Sequence, residues 1–105
     1  MSMPVTIAVP VNAQLCIQTA YETLLTEENL NNSPYIDSVL LFATATVDDT
    51  AEFLITVKKI NENETEMTID FGRRLSARYI NPGKEIRKVS EFLKRFSLAL
   101  QNKTS

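Results

Sequence analysis

Histidine and tryptophan are absent from this 105-residue sequence, cysteine occurs once, and glycine occurs only at Gly72 and Gly83. Without an imidazole there is no Ser-His-Asp triad, no His-based metal site and no zinc finger, which removes the commonest general base and metal ligand together. Two isolated glycines cannot write a Walker loop or a dinucleotide fingerprint, because both need several glycines for the backbone to close on phosphate. A lone Cys16 forms no intrachain disulfide, so the usual reason to infer an oxidising compartment is missing. The expected setting is cytoplasmic, the alternative being the cell envelope if a leader has been removed. Met1 to Val11 is apolar but has no basic flank, and Pro4 and Pro10 interrupt it, so neither a signal peptide nor a membrane span is expected.

What is present is an ordinary globular composition. An apolar fraction of 44% and a charged fraction of 23% at this length predict one domain, residues 1–105, with 102–105 as a frayed tail. The charge is divided along the chain. Up to Gly72, eleven acids face only Lys58 and Lys59; from Arg73 onward, nine bases face only Glu85 and Glu91. Such asymmetry is one sign of an anionic partner.

Hydrophobic periodicity orders the elements. Val5, Ile7 and Val9 alternate with Thr6 and Ala8 as a first strand that Pro10 ends. Asn12 is a helix cap, and Ala13, Cys16, Ile17, Ala20, Tyr21 and Leu24 follow at steps of three and four, so a helix is predicted to fade near Glu27. Asn29, Asn31, Asn32 and Ser33 make the next stretch a loop. Residues 35–47, rich in β-branched and aromatic types, read as one strand. After a turn at Asp48-Asp49-Thr50, Phe53, Ile55 and Val57 form a third strand. A turn at Asn61-Glu62-Asn63 then leads to Met67, Ile69 and Phe71, alternating with Glu66, Thr68 and Asp70 until Gly72. Leu75, Ala77 and Tyr79 predict a further edge strand over 73–80. Asn81-Pro82 starts a last helix expected to reach about Gln101, with Ile86, Val89, Phe92, Leu93, Phe96, Ala99 and Leu100 inward and Lys84, Arg87, Lys88, Glu91, Lys94 and Arg95 outward.

The predicted fold class is α+β, in the order β-α-β-β-β(-β)-α, with an antiparallel sheet packed against two helices. The opening Val5-Thr6-Ile7-Ala8-Val9-Pro10-Val11-Asn12, running straight into a helix, is similar to the start of the polyketide-cyclase and START-like superfamily. The element order also resembles the small helix-grip domains of cell-envelope accessory lipoproteins. This resemblance implies a curved sheet wrapped around the last helix. It also implies a small-ligand pocket between the two, lined by residues such as Tyr21, Phe42, Phe53 and Phe92.

The residues themselves offer few chemistries. Cys16 near a helix start is a candidate thiolate, but it lies on the apolar stripe, where a free cysteine acts as a small hydrophobe. Asp48 and Asp49 at a hairpin tip could take a cation only with several more oxygens. Glu66 and Asp70, with Thr68 between them, could cooperate as acid and base, yet a solvated sheet face accounts for them equally. The strongest candidate surface is Arg73, Arg74, Arg78, Tyr79, Arg87, Lys88, Lys94 and Arg95, where guanidinium groups and a ring suit phosphate pairing and base stacking. The same bases would serve equally to complement the acidic sheet within the monomer or across a dimer. The sequence thus predicts a small non-catalytic binding or assembly module, with no cofactor or metal, whose partner is a protein or a second copy. The alternative is a nucleic-acid or anionic-surface binder using the basic set; a third option is a small-ligand carrier.

Overall fold

A computed structural model describes residues 4–48, 51–73 and 82–104. The chain runs β1 (Val5–Val9), α1 (Ala13–Leu25), β2 (Tyr35–Asp37), β3 (Phe42–Val47), β4 (Ala51–Asn61), β5 (Glu64–Arg73) and α2 (Pro82–Thr104). The described strands form one antiparallel sheet in the order β1-β5-β4-β3-β2, so the first of them pairs with the last. The fold is α+β, as the periodicity predicts. Arg74, Arg78 and Tyr79, with the rest of the expected strand beyond Arg73, lie outside the described residues.

Helix α1 begins immediately after Asn12, which is not itself helical. Its φ of −70° and ψ of 161° are extended, and its side-chain oxygen accepts from the Leu15 N–H at 2.8 Å, satisfying one of the free donors of the first turn. An Asn12→Ala variant is expected to lose about 1 kcal/mol, measured as a shift of the urea midpoint at unchanged slope. Thr19 and Thr23 are fully buried within this helix. Each hydroxyl donates to the carbonyl four residues earlier, Leu15 and Thr19 respectively, at 2.7 and 2.8 Å, so neither carries an unmet polar group into the core.

Alternation in β4 and β5 sorts the sheet into two faces. Phe53, Ile55, Met67, Ile69 and Phe71 are fully buried on the face that carries both helices. Helix α1 lies across β3, β4 and β5, while α2 packs mainly on α1 and β5. Rings bridge the layers: Phe53 sits 4.5 Å from Phe71 and 5.6 Å from Phe92 between ring centroids, and Phe92 stacks on Phe96 at 6.0 Å. The other face has no helix over it among the described residues, leaving Thr6, Ala8, Glu52, Leu54, Thr56 and Lys58 exposed.

Four expectations are corrected. Residues 35–47 are not one strand but a hairpin, β2 and β3, turning through 38–41. The Asp37 carboxylate accepts from both the Val39 and Leu40 N–H groups, at 3.0 and 2.8 Å, and so holds a turn made, after Ser38, of apolar residues. Leu41 closes it at a φ of 60°, unusual for a bulky side chain, with its carbonyl accepting from Val57 N–H at 2.9 Å. Gly72 does not end β5, because it pairs with Glu52 and Arg73 pairs with Ala51. Helix α2 continues to Thr104, past the expected end at Gln101 and through most of the tail expected to fray. Ile86, expected inward, is 69% exposed: it lies six residues before Phe92, off the stripe that faces the core.

Candidate functional site

Helix α2 carries most of the described basic residues, and its packing against the end of α1 decides what they do. Lys88 lies four residues before Phe92 and Arg95 three after it, so both flank the buried stripe instead of standing opposite. They converge on Glu27, just beyond the Thr26 C-cap of α1, whose side chain is only 1% exposed. Lys88 Nζ is 2.5 Å from Glu27 Oε1, and an Arg95 terminal nitrogen donates to Oε2. A second Arg95 nitrogen donates to the Thr26 carbonyl at 3.3 Å, placing positive charge at the negative end of the α1 dipole. Arg95 Nε is buried and has no hydrogen-bond partner among the described residues.

Two further pairs continue the pattern. Lys84 reaches Asp48 at 2.5 Å and Lys103 reaches Glu22 at 2.9 Å. The hydrogen bond from Lys103 holds the Glu22 carboxyl below its ordinary value. Each of these ion pairs joins a base of the last third to an acid of the first half. Of the predicted surface, the structure therefore brings Lys88 and Arg95 together on a carboxylate. Arg87 and Lys94 are exposed on the outer side of α2 and make no ion pair among the described residues. The Arg73 backbone belongs to β5, and Arg74, Arg78 and Tyr79 lie outside the described residues. Glu27 was the residue the sequence concealed: a single glutamate after a helix has no local signal for partners 61 and 68 positions away.

An open groove of about 420 Å³ runs beside this cluster. It is lined by Glu27, Glu28 and Glu91, by Lys88, Lys94 and Arg95, and by Leu98, so its formal charges cancel. Balanced charge gives no net attraction for a polyanion.

The remaining candidates separate. Cys16 is fully buried with Sγ 4.0 Å from Met67 Sδ, and burial pushes its thiol up to about 11, the wrong direction for a nucleophile. Asp48 is taken up by Lys84, Asp49 lies outside the described residues, and no group of three metal-ligating side chains occurs among the described residues. Glu66 stands opposite Lys58 and Asp70 opposite Leu54 on the helix-free sheet face. Phe53 and Phe92 are core residues, whereas Phe42 lies on the other side of the sheet with its ring 5.7 Å from that of Tyr35, so the four suggested pocket residues do not line one cavity. No described helix is long and apolar enough to cross a membrane.

Exposed apolar groups occur on the helices, at Leu25, Ile86 and Leu98, and on the helix-free face and its margins. Tyr35 is 56% exposed and Leu54 43%, while Val39 and Leu40 at the β2–β3 turn reach 87% and 70%. No protein-family model matches the chain, and no curated protein matches it.

Proposed function

We propose that this chain is a non-catalytic binding or assembly module whose partner is a protein, a second copy of itself included. The observation that carries the reading is the fate of the basic residues. Lys84, Lys88, Arg95 and Lys103 are engaged by Asp48, Glu27 and Glu22 of the same chain, so four of the six bases of α2 serve the fold, Lys88 and Arg95 of the predicted surface among them. The sheet, by contrast, offers a face with Tyr35 and Leu54 exposed and no helix over it among the described residues, and a first strand whose outer edge no described strand covers. Aromatic and aliphatic groups of this kind are the usual anchors of protein contacts. A helix-grip kinship belongs to the same proposal, since the reading uses the sheet surface and not an enclosed pocket.

Size-exclusion chromatography with light scattering, run at low and high salt with and without a short oligonucleotide, tests it. The elution and mass are expected to ignore the oligonucleotide at either salt. A complex that forms at low salt and falls away steeply as ionic strength rises is the signature of phosphate contacts and would overturn the reading.

A further inference from the structure

We propose that the outer edge of β1 pairs with the same strand of a second copy, joining two sheets into one continuous antiparallel sheet; this rests on the reading of the chain as a protein-binding module. Among the described residues β1 is the end strand of the sheet, and no strand covers its outer edge. Natural edge strands are guarded by charge, bulges or brevity, because their free N–H and C=O groups invite pairing. The opposite edge, β2, is protected by being three residues long and by carrying Asp37. β1 is five residues long, carries no charge, and pairs with β5 from Val5↔Ile69 to Val9↔Thr65 without a register shift.

The core is also left open at this edge. Val5 and Ile7 point to the helix side and pack on the core, yet both remain partly exposed, because α1 and α2 lie over β3, β4 and β5. A second β1 would set Val5, Ile7 and Val9 of the other copy alongside them.

The prolines choose the register. A two-fold axis through the Ile7 pair puts Val5 opposite Val9, Thr6 opposite Ala8, and Pro4 opposite Pro10, so the whole of β1 pairs and both prolines fall outside the ladder. Sliding by two residues in either direction brings Pro4 or Pro10 into it, where no N–H is available. Charge does not oppose the arrangement. The nearest acid in register is Glu66, opposite Ala8 on β5, and across the joint its two copies stand about three strand spacings apart, roughly 14 Å, beyond the Debye length at physiological salt.

The pairing of position 6 with position 8 of the other copy gives a test that spares the core, since Thr6 and Ala8 are both exposed and Thr6 gives up only a surface hydrogen bond to Thr68. Light scattering across a concentration series is expected to show a dimer for the parent chain. T6K/A8K places lysine opposite lysine twice and is expected to weaken the dimer at least roughly tenfold. T6E/A8K places glutamate opposite lysine twice and is expected to retain it, with circular dichroism unchanged in both variants. A parent chain that stays monomeric at the highest concentration reached overturns the inference, while the oligonucleotide experiment still decides the wider reading. A dimer indifferent to T6K/A8K also overturns it, and leaves self-association standing through another surface.

Discussion

Phe53→Ala is expected to cost about 3–5 kcal/mol, the largest loss from any single truncation in this core. Phe53 lies in β4, the middle of the sheet, is fully buried, and touches rings from both layers: Phe71 on the next strand and Phe92 on α2. Its removal forfeits the transfer energy of the ring, opens a cavity that close-packed neighbours fill only in part, and breaks two tilted aromatic contacts. For a domain of this size each kcal/mol lowers the melting temperature by about 4–8 °C, so a fall of roughly 15–30 °C is expected. Phe42→Ala is the matched control. The ring is the same but sits on the helix-free face against Tyr35, and its loss is expected to cost about 1 kcal/mol or less. Equal losses in the two variants would mean that the faces of the sheet are wrongly assigned.

That contrast bears on what a sequence discloses. Over 51–57 of β4 and 67–71 of β5 every second residue is apolar, and the period-two pattern places Phe53, Ile55, Met67, Ile69 and Phe71 inward without help from the rest of the chain. The β2–β3 turn was illegible for the opposite reason. Val39, Leu40 and Leu41 are apolar and none is a usual turn residue, and the turn is set by one carboxylate, Asp37, capping two amides. Composition could not reveal it. On α2 the apolar stripe was readable, but the rule that charged residues face water placed Lys88 and Arg95 outside. Their angular positions beside Phe92 argue the reverse once a buried acceptor exists, and that acceptor, Glu27, belongs to tertiary structure alone. The division of charge was therefore visible in the sequence, while its use was not.

Glu27→Ala tests that use directly. The substitution leaves Lys88 and Arg95 facing each other across the space that the carboxylate neutralised, and removes the acceptor of two charge-assisted hydrogen bonds. Loss of one member of a fully buried ion pair costs about 3–5 kcal/mol. Here the Lys88 and Arg95 side chains are 15% and 31% exposed and can turn partly toward water, so about 2–3 kcal/mol is expected, a fall of roughly 10–20 °C in melting temperature. The loss should persist at high salt, because the Glu27 side chain is sequestered from counterions, whereas any contribution of the more exposed Lys103–Glu22 pair should be screened. A triple variant, E27L/K88M/R95M, replaces the cluster with apolar groups and is expected to recover most of the stability. These outcomes carry functional weight. If Glu27→Ala is strongly destabilising and the triple variant folds, the basic face of α2 is a structural clasp and an anionic partner has little left to hold. If Glu27→Ala is instead neutral, Lys88 and Arg95 are free cations in waiting, and the case for a protein partner loses its main support.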